Sequence, residues 1–409
     1  MIDWLVSDDA TGVFAVGPDG SVGYEEIRRA ITAGRTGQVA VLTPERNVAS
    51  VLEIYTSVGR GPIALGGAAA PTGAPVSVDV MTVLGTSGTT GAPKLVPLTA
   101  ANWKAAVEAS ATHLGHTADD EWLVAMPLHH VGGLSVLFRS SHVGGRVRLL
   151  ADFDPVEFSD ALGVVTMASV VPTMLRRVLD VDRRRFDGLK AVLVGGGPIP
   201  PGLLEEAWER GIPALPTYGM TETCAQVATL RPGSPPAYRA HLLPGLEART
   251  SQDGRISVRG PQVFTGYLGE ESVLVDGWFL TGDLGEVLED GSLQITGRAD
   301  DVIVTGGENV DPSIVEVTIA SHPGVTGAMV VGVPSVEWGS EVVCLVTGDV
   351  PVRSLELYVR ERLKPFEVPK HWLVVSELPT TALGKPDRET GRRIAVRGSA
   401  PPRDEDSLT

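Results

Sequence analysis

Gly85-Thr86-Ser87-Gly88-Thr89-Thr90-Gly91-Ala92-Pro93-Lys94 follows a short apolar run, Met81-Thr82-Val83-Leu84. Glycines let the backbone approach an anion and turn its N–H groups inward. The hydroxyls of Thr86, Ser87, Thr89 and Thr90 donate to phosphate oxygens, and Lys94 adds a mobile positive charge. The stretch predicts a loop that grips phosphate. It is not a Walker loop, because Ala92-Pro93 separate Gly91 from Lys94. Alone, a flexible Gly/Thr surface loop explains it too, so its neighbours decide.

A chain of 409 residues predicts two or more domains. Hydrophobic residues make up 43% and charged ones 21%, a globular balance rather than a disordered one. The net charge of −16 argues against nucleic acid or an anionic membrane as a general partner. An anionic substrate must therefore meet local basic residues. Cys224 and Cys344 stand far apart, which gives neither a disulfide framework nor a zinc site and fits a reducing cytoplasm. The N-terminal residues lack the pattern of a signal peptide, and no apolar run approaches the roughly 18 residues of a membrane span. The oligomeric state stays open, a homo-oligomer included.

From about residue 38 to 220, apolar runs alternate with amphipathic segments, which argues an α/β domain with mostly parallel strands. Val39–Leu42, Trp122–Met126, Val147–Leu150, Val164–Met167 and Ala191–Val194 read as strands. Asn47 caps a helix through Val58, and Thr99 caps the one after the loop. Residues 61–76 read as a connector, and Pro201 suits the first turn of a helix. After about residue 240 the pattern changes. Arg255–Arg259 alternates with period two and Asp290-Gly291 is a hairpin signal, so residues 240–297 read as a β-rich subdomain. Asp311-Pro312 opens a helix, followed by strands near 328–333 and 341–346, a helix near 353–363 and a strand at Trp372–Val375. The expected domains are 1–299, large and of mixed, mostly parallel sheets with flanking helices, and 300–396, small, mobile and α+β. Residues 397–409 form a polar tail.

Further stretches carry chemistry. In Tyr218-Gly219-Met220-Thr221-Glu222-Thr223 the tyrosine ring can stack on a base, Thr221 can donate to phosphate and Glu222 can hold a divalent cation. Gly195-Gly196-Gly197 ends a strand with bare backbone on which a flat group can lie. Thr281-Gly282-Asp283 reads as a tight turn whose carboxylate can accept both ribose hydroxyls. Gly297-Arg298-Ala299-Asp300-Asp301 suits an exposed joint between domains. Lys385, amid Pro, Thr and Gly, sits in a mobile loop from which it can reach another domain's site. Each has an ordinary turn or surface reading when taken alone.

Together, their order and separation resemble the adenylate-forming superfamily of acyl-CoA synthetases, adenylation domains and luciferases, over residues from about 80 to 390. The resemblance implies ATP, Mg2+ and CoA as cofactors and co-substrate, and a small carboxylic acid as substrate. It makes residues 86–94 the phosphate loop. Tyr218, Gly219, Thr221 and Glu222 become the adenine, α-phosphate and magnesium group. Asp283 becomes the ribose ligand with Arg298 beside it, and Asp300 the hinge. Lys385 becomes the lysine that bridges carboxylate and α-phosphate. Glu308-Asn309 belong to a loop that enters the site after domain rotation. A narrower resemblance joins Met126-Pro127-Leu128-His129-His130-Val131-Gly132-Gly133-Leu134 and Ser135-Val136-Leu137-Phe138-Arg139 to the o-succinylbenzoate–CoA ligases of menaquinone synthesis. There His130 matches a gating histidine, and Ser135 and Arg139 are candidates for the second carboxylate, with a surface position for Arg139 as the alternative. Leu95, where glycine is usual, and Pro386, where an aliphatic is usual, depart from the pattern. Another acyl- or aryl-CoA ligase, a stand-alone adenylating enzyme and an inactive nucleotide-binding homologue stay open.

Overall fold

The computed structural model describes residues 2–32, 39–65, 76–86, 94–380 and 386–399. The chain forms two compact units, 1–281 with 286–295, and 282–285 with 296–409.

Six parallel strands lie side by side toward one end of the first unit's large sheet, Ala214–Tyr218, Ala191–Gly195, Met167–Val170, Glu121–Val124, Arg146–Leu149 and Val13–Gly17, with Gly20–Gly23 antiparallel at that edge. Their residues are apolar on both faces because helices cover both faces. On one face lie Trp122, Val124, Met167 and Leu193 with Trp103 and Phe138; on the other lie Leu123, Ala168, Val192 and Val194 with Phe158 and Leu175. Antiparallel strands extend the sheet through Ala228–Thr229, Ala240–Leu242, Ser292–Arg298, Trp278–Val287, Arg255–Arg259 and Glu247–Thr250. A second sheet pairs Ala40–Val41, Ile63–Leu65 and Val80–Thr86 in parallel and adds Lys94–Thr99 antiparallel.

In the second unit, Val325–Ser335 and Gly339–Gly348 form an antiparallel pair, with His371–Val374 parallel to the latter. Period-two alternation sorts the core. Met329, Val331 and Val343 join Ala395 of the helix Arg388–Ser399, while Val330, Val342 and Cys344 join Val315 and Leu355 of Pro312–Ala320 and Val352–Arg360.

Several sequence expectations shift. The strand expected at Val164–Met167 runs from Met167 to Val170, and Val164 is exposed. The apolar run began early because Val164 and Val165 lead into the sheet. Pro201 precedes its helix, which starts at Leu203 behind Gly202. The connector contains the buried strand Ile63–Leu65. Thr281-Gly282-Asp283 is no turn but the middle of the strand Trp278–Val287; the tight turn lies earlier, at Asp276-Gly277, where both residues have positive φ. Both cysteines are free and buried.

Candidate active site

Ligands of parallel α/β sheets sit at the carboxyl ends of the strands. Gly195 and Thr217 are register partners there, and Tyr218 follows at once. A Cβ on Gly195 would lie 2.6 Å from the Thr217 carbonyl oxygen, so bare backbone is required. His130 follows the same end of the strand Glu121–Val124, which Met167–Val170 separates from Ala191–Gly195, and N-caps the helix Val131–Val143. Its ring is 4.3 Å from that of His129. Arg46 clamps this edge, donating to Ala125 O at 2.9 Å and Leu150 O at 2.7 Å. Burial, then the Arg46 charge, lowers the His129 pKa, which favours a neutral ring.

After Tyr218 the chain folds back tightly. Thr221–Thr223 form one 3-10 turn, and Cys224 and Ala225 have φ of 51° and 87°. Two non-glycine residues in the left-handed region are costly and persist only where the surroundings impose them. Here the Met220 amide, donating to Thr223 Oγ1 at 3.2 Å, and the buried Gln226 impose them. Gln226 accepts from Ser110 at 2.7 Å, donates to Thr229 at 2.8 Å, and takes the Gln262 amide on its carbonyl at 3.1 Å. Gly219 lies under this fold; a Cβ there would sit 1.6 Å from Ala225 O.

The strands that flank the expected phosphate loop, Val80–Thr86 and Lys94–Thr99, pair antiparallel. Thr86 and Lys94 are register partners, with Thr86 Oγ1 donating to Lys94 O at 3.3 Å. Ser87, Gly88, Thr89, Thr90 and Gly91 lie outside the described residues. Thr99 then caps Ala100–Leu114, as expected. Asn102 in that helix donates to Pro261 O at 2.8 Å and Val263 O at 3.0 Å. Through this neighbourhood Lys94 and Glu222 approach one residue that sequence reading missed. The Tyr267 hydroxyl donates to Glu222 Oε1 at 2.9 Å, and Lys94 Nζ lies 4.5 Å from the centre of the Tyr267 ring. A lone tyrosine after Thr265-Gly266 gives no signal in the sequence. Among the described residues no cluster of three acidic, histidine or cysteine side chains could hold a metal alone. A single carboxylate suits Mg2+, which takes most of its ligands from phosphate and water.

Arg139 is not a surface residue: it is 4% exposed. It shares a helix face with Ser135, to whose carbonyl Nε donates at 3.1 Å and to whose hydroxyl Nη2 donates at 2.6 Å. The guanidinium carbon lies 4.8 Å from the Trp122 ring centre, and Nη1 has no hydrogen-bond partner among the described residues. Burial pushes its pKa down to about 9, so the group stays charged at neutral pH.

In the second unit, Asp283 accepts from Arg298 Nη1 at 3.1 Å, and Arg298 Nη2 lies 3.6 Å from Asp300. The arginine crosses Gly282, where a Cβ would meet it at 2.8 Å. Asp300 is exposed in the turn Ala299–Asp301, which buries nothing. Glu308 and Asn309 belong to the strand Glu308–Val310, which pairs with Ile303–Thr305 across Gly306 and Gly307, both at positive φ. Lys385 lies outside the described residues; flanking it, Thr380 and Pro386 form a bridge, and the Asp387 amide donates to Pro379 O at 3.0 Å.

The AMP-binding enzyme family model matches residues 25–268, and that of the AMP-binding enzyme C-terminal domain matches 315–385. The chain belongs to the AMP-binding enzyme family. It is similar to the 2-succinylbenzoate–CoA ligase of Bacillus licheniformis, 40% identical over 75% of this chain and 68% of the relative. It is also similar to that of Geobacillus kaustophilus, 42% identical over 77% and 69%. The solved structure of o-succinylbenzoate CoA synthetase from Bacillus subtilis in complex with ATP and magnesium ion matches with TM-score 0.80 at 29% identity, covering 95% of this chain and 98% of that one. The complex of the same enzyme with the acyl-adenylate intermediate matches with TM-score 0.78 at 29% identity, covering 93% and 95%.

Proposed function

We propose that this chain is an AMP-forming acid–thiol ligase that joins o-succinylbenzoate to CoA in menaquinone biosynthesis, using ATP and Mg2+. The observation that supports it most directly is the meeting of Lys94 and Glu222 at Tyr267, beside the phosphate loop, in a chain 40% identical to a ligase of that name. A carboxylate is a poor electrophile at neutral pH. Its oxygen attacks the α-phosphorus of ATP, forming an acyl-adenylate while the bond to pyrophosphate breaks. The CoA thiolate then attacks the acyl carbon, forming the thioester and releasing AMP.

Lys94 and the hydroxyls of residues 86–90 offset charge on the departing pyrophosphate, and Glu222 holds the magnesium, which neutralises phosphate charge. Tyr218 and Gly195–Gly197 take the adenine, Thr221 the α-phosphate, and Asp283, oriented by Arg298, the ribose. Lys385 offsets the repulsion between carboxylate and α-phosphate, a charge worth more in the transition state than before it. The boundary between large and small domains falls at 299/300. Asp300 is the pivot that exchanges Lys385 for the Glu308-Asn309 segment, and His130 gates the acyl pocket. Arg139, supported by Ser135, takes the second carboxylate; its buried, unpaired Nη1 supports that role.

Among the described residues no helix is long and apolar enough to cross a membrane. We assign the enzyme to the cytoplasm, the reducing compartment that suits two free, isolated cysteines. Pyrophosphate release measured over a panel of carboxylic acids, with and without CoA, tests the function. Release with o-succinylbenzoate and CoA-dependent thioester formation are expected; preference for another acid would replace the substrate, and no release with any acid would reject the activity.

A further inference from the structure

Segment 264–268 is fastened at both ends to the nucleotide machinery. The Phe264 amide donates to Glu222 O at 2.8 Å, and the Leu268 amide donates to Leu95 O at 2.9 Å. Between these two bonds stands Tyr267. Its ring is held edge-on at 5.0 Å by Phe264, which is fully buried and braced in turn by Phe279 at 5.0 Å. A ring fixed in this way presents two different surfaces. Its face receives the Lys94 ammonium at 4.5 Å, within the range of a cation–π contact. Its hydroxyl donates to Glu222 at 2.9 Å.

The separation has a consequence. A lysine and a glutamate free to meet would neutralise each other, leaving neither for phosphate or metal. Here each charge is met by a different part of one phenol.

We propose that Tyr267 is a positioning residue for adenylation: its ring seats Lys94 and its hydroxyl aims the Glu222 carboxylate, so both are preset before the nucleotide arrives. This rests on the reading that Lys94 meets pyrophosphate and Glu222 the metal.

Tyr267→Phe keeps the ring and removes the hydroxyl; Tyr267→Leu removes both. Mn2+ binding to the full chain in the presence of ATP, followed by electron paramagnetic resonance, reads the metal arm directly. Tyr267→Phe should weaken Mn2+ about 10-fold, as loss of a partner behind a metal ligand does. Tyr267→Leu should in addition raise the ATP KM about 5-fold, the scale of one cation–π contact. Adding Tyr267→Phe to Glu222→Gln should change neither Mn2+ nor ATP binding further, because the hydroxyl acts through that carboxylate. A further loss in the double variant points to general structural damage and overturns the proposal. Wild-type Mn2+ affinity in Tyr267→Phe, with binding lost in Glu222→Gln, also overturns it while leaving Glu222 as the metal ligand. Undiminished Mn2+ binding in Glu222→Gln would remove the metal assignment itself.

Discussion

Arg388 grips Glu316 at two points, Nη1 to Oε1 at 2.5 Å and Nη2 to Oε2 at 2.9 Å. The same guanidinium donates through Nε to Asp301 at 3.1 Å and through Nη1 to Val330 O at 2.9 Å. It thus ties the start of the last helix to the residue after Asp300. Burial raises the Glu316 pKa, and the Arg388 hydrogen bond and charge oppose it. Arg388→Ala would leave Glu316 buried without its partner, and removing one member of such a pair costs about 3–5 kcal/mol. Urea unfolding should show that loss in the second unit; a change below about 1 kcal/mol would place the pair among weak surface bridges.

Gly219→Ala should slow adenylation about 100-fold. A methyl group 1.6 Å from Ala225 O cannot be accommodated, so the backbone from Tyr218 to Gln226 must move. A shift of that size at positioned groups costs about 100-fold in rate. Pyrophosphate exchange measures it, and a loss under tenfold would mean that the strained turn does not set the geometry.

His116 makes stability pH-dependent. It is 5% exposed, edge-on to Trp122 at 5.2 Å, and neither ring nitrogen has a hydrogen-bond partner among the described residues. Burial, then the Arg139 charge, lowers its pKa to about 3 from an ordinary 6.5. The unfolded chain therefore takes a proton that the folded one refuses. The contribution is whole above pH 6.5 and is lost as pH falls toward 3. Between these limits the wild type should lose up to about 1.4 kcal/mol per pH unit more than His116→Leu. Unfolding free energies at several pH values compare the two, and parallel slopes would contradict the argument.

Arg139→Ala should raise the KM for o-succinylbenzoate about 30-fold, the value of a hydrogen bond to a charged group, with the ATP KM unchanged. An unchanged KM for the acid would remove Arg139 from the pocket.

Lys385→Ala should eliminate adenylation yet spare thioester formation from supplied adenylate; equal loss of both would reject its assigned role. Asp300→Pro should slow thioester formation alone, because a fixed φ restrains the pivot. Unaltered thioester formation would end the hinge assignment.

Much of the fold was legible because its signals are local. Continuous apolar runs such as Ala191–Val194 mark strands covered on both faces, and Asn47, Thr99 and Asp311 do cap helices. Errors fell where local and tertiary signals differ. Val164 looks like strand but leads into one, and Gly282 looks like a turn but is the bare stretch of strand that Arg298 crosses.

The site divides in the same way. Residue types made Lys94, Glu222 and Asp283 candidates for phosphate, metal and ribose, and only the order and separation of the motifs, through the family resemblance, selected them over ordinary turn and surface readings. Sequence could not say that Arg139 is buried or that Tyr267 stands between Lys94 and Glu222. Those facts depend on which strands become neighbours and where a helix lays its face. By itself the Gly85–Lys94 stretch predicted either a loop that grips phosphate or a flexible Gly/Thr surface loop, and its neighbours were needed to choose. Only the tertiary structure decided what Lys94 rests on, because that contact joins residues far apart in the chain, and long-range packing alone brings them within reach.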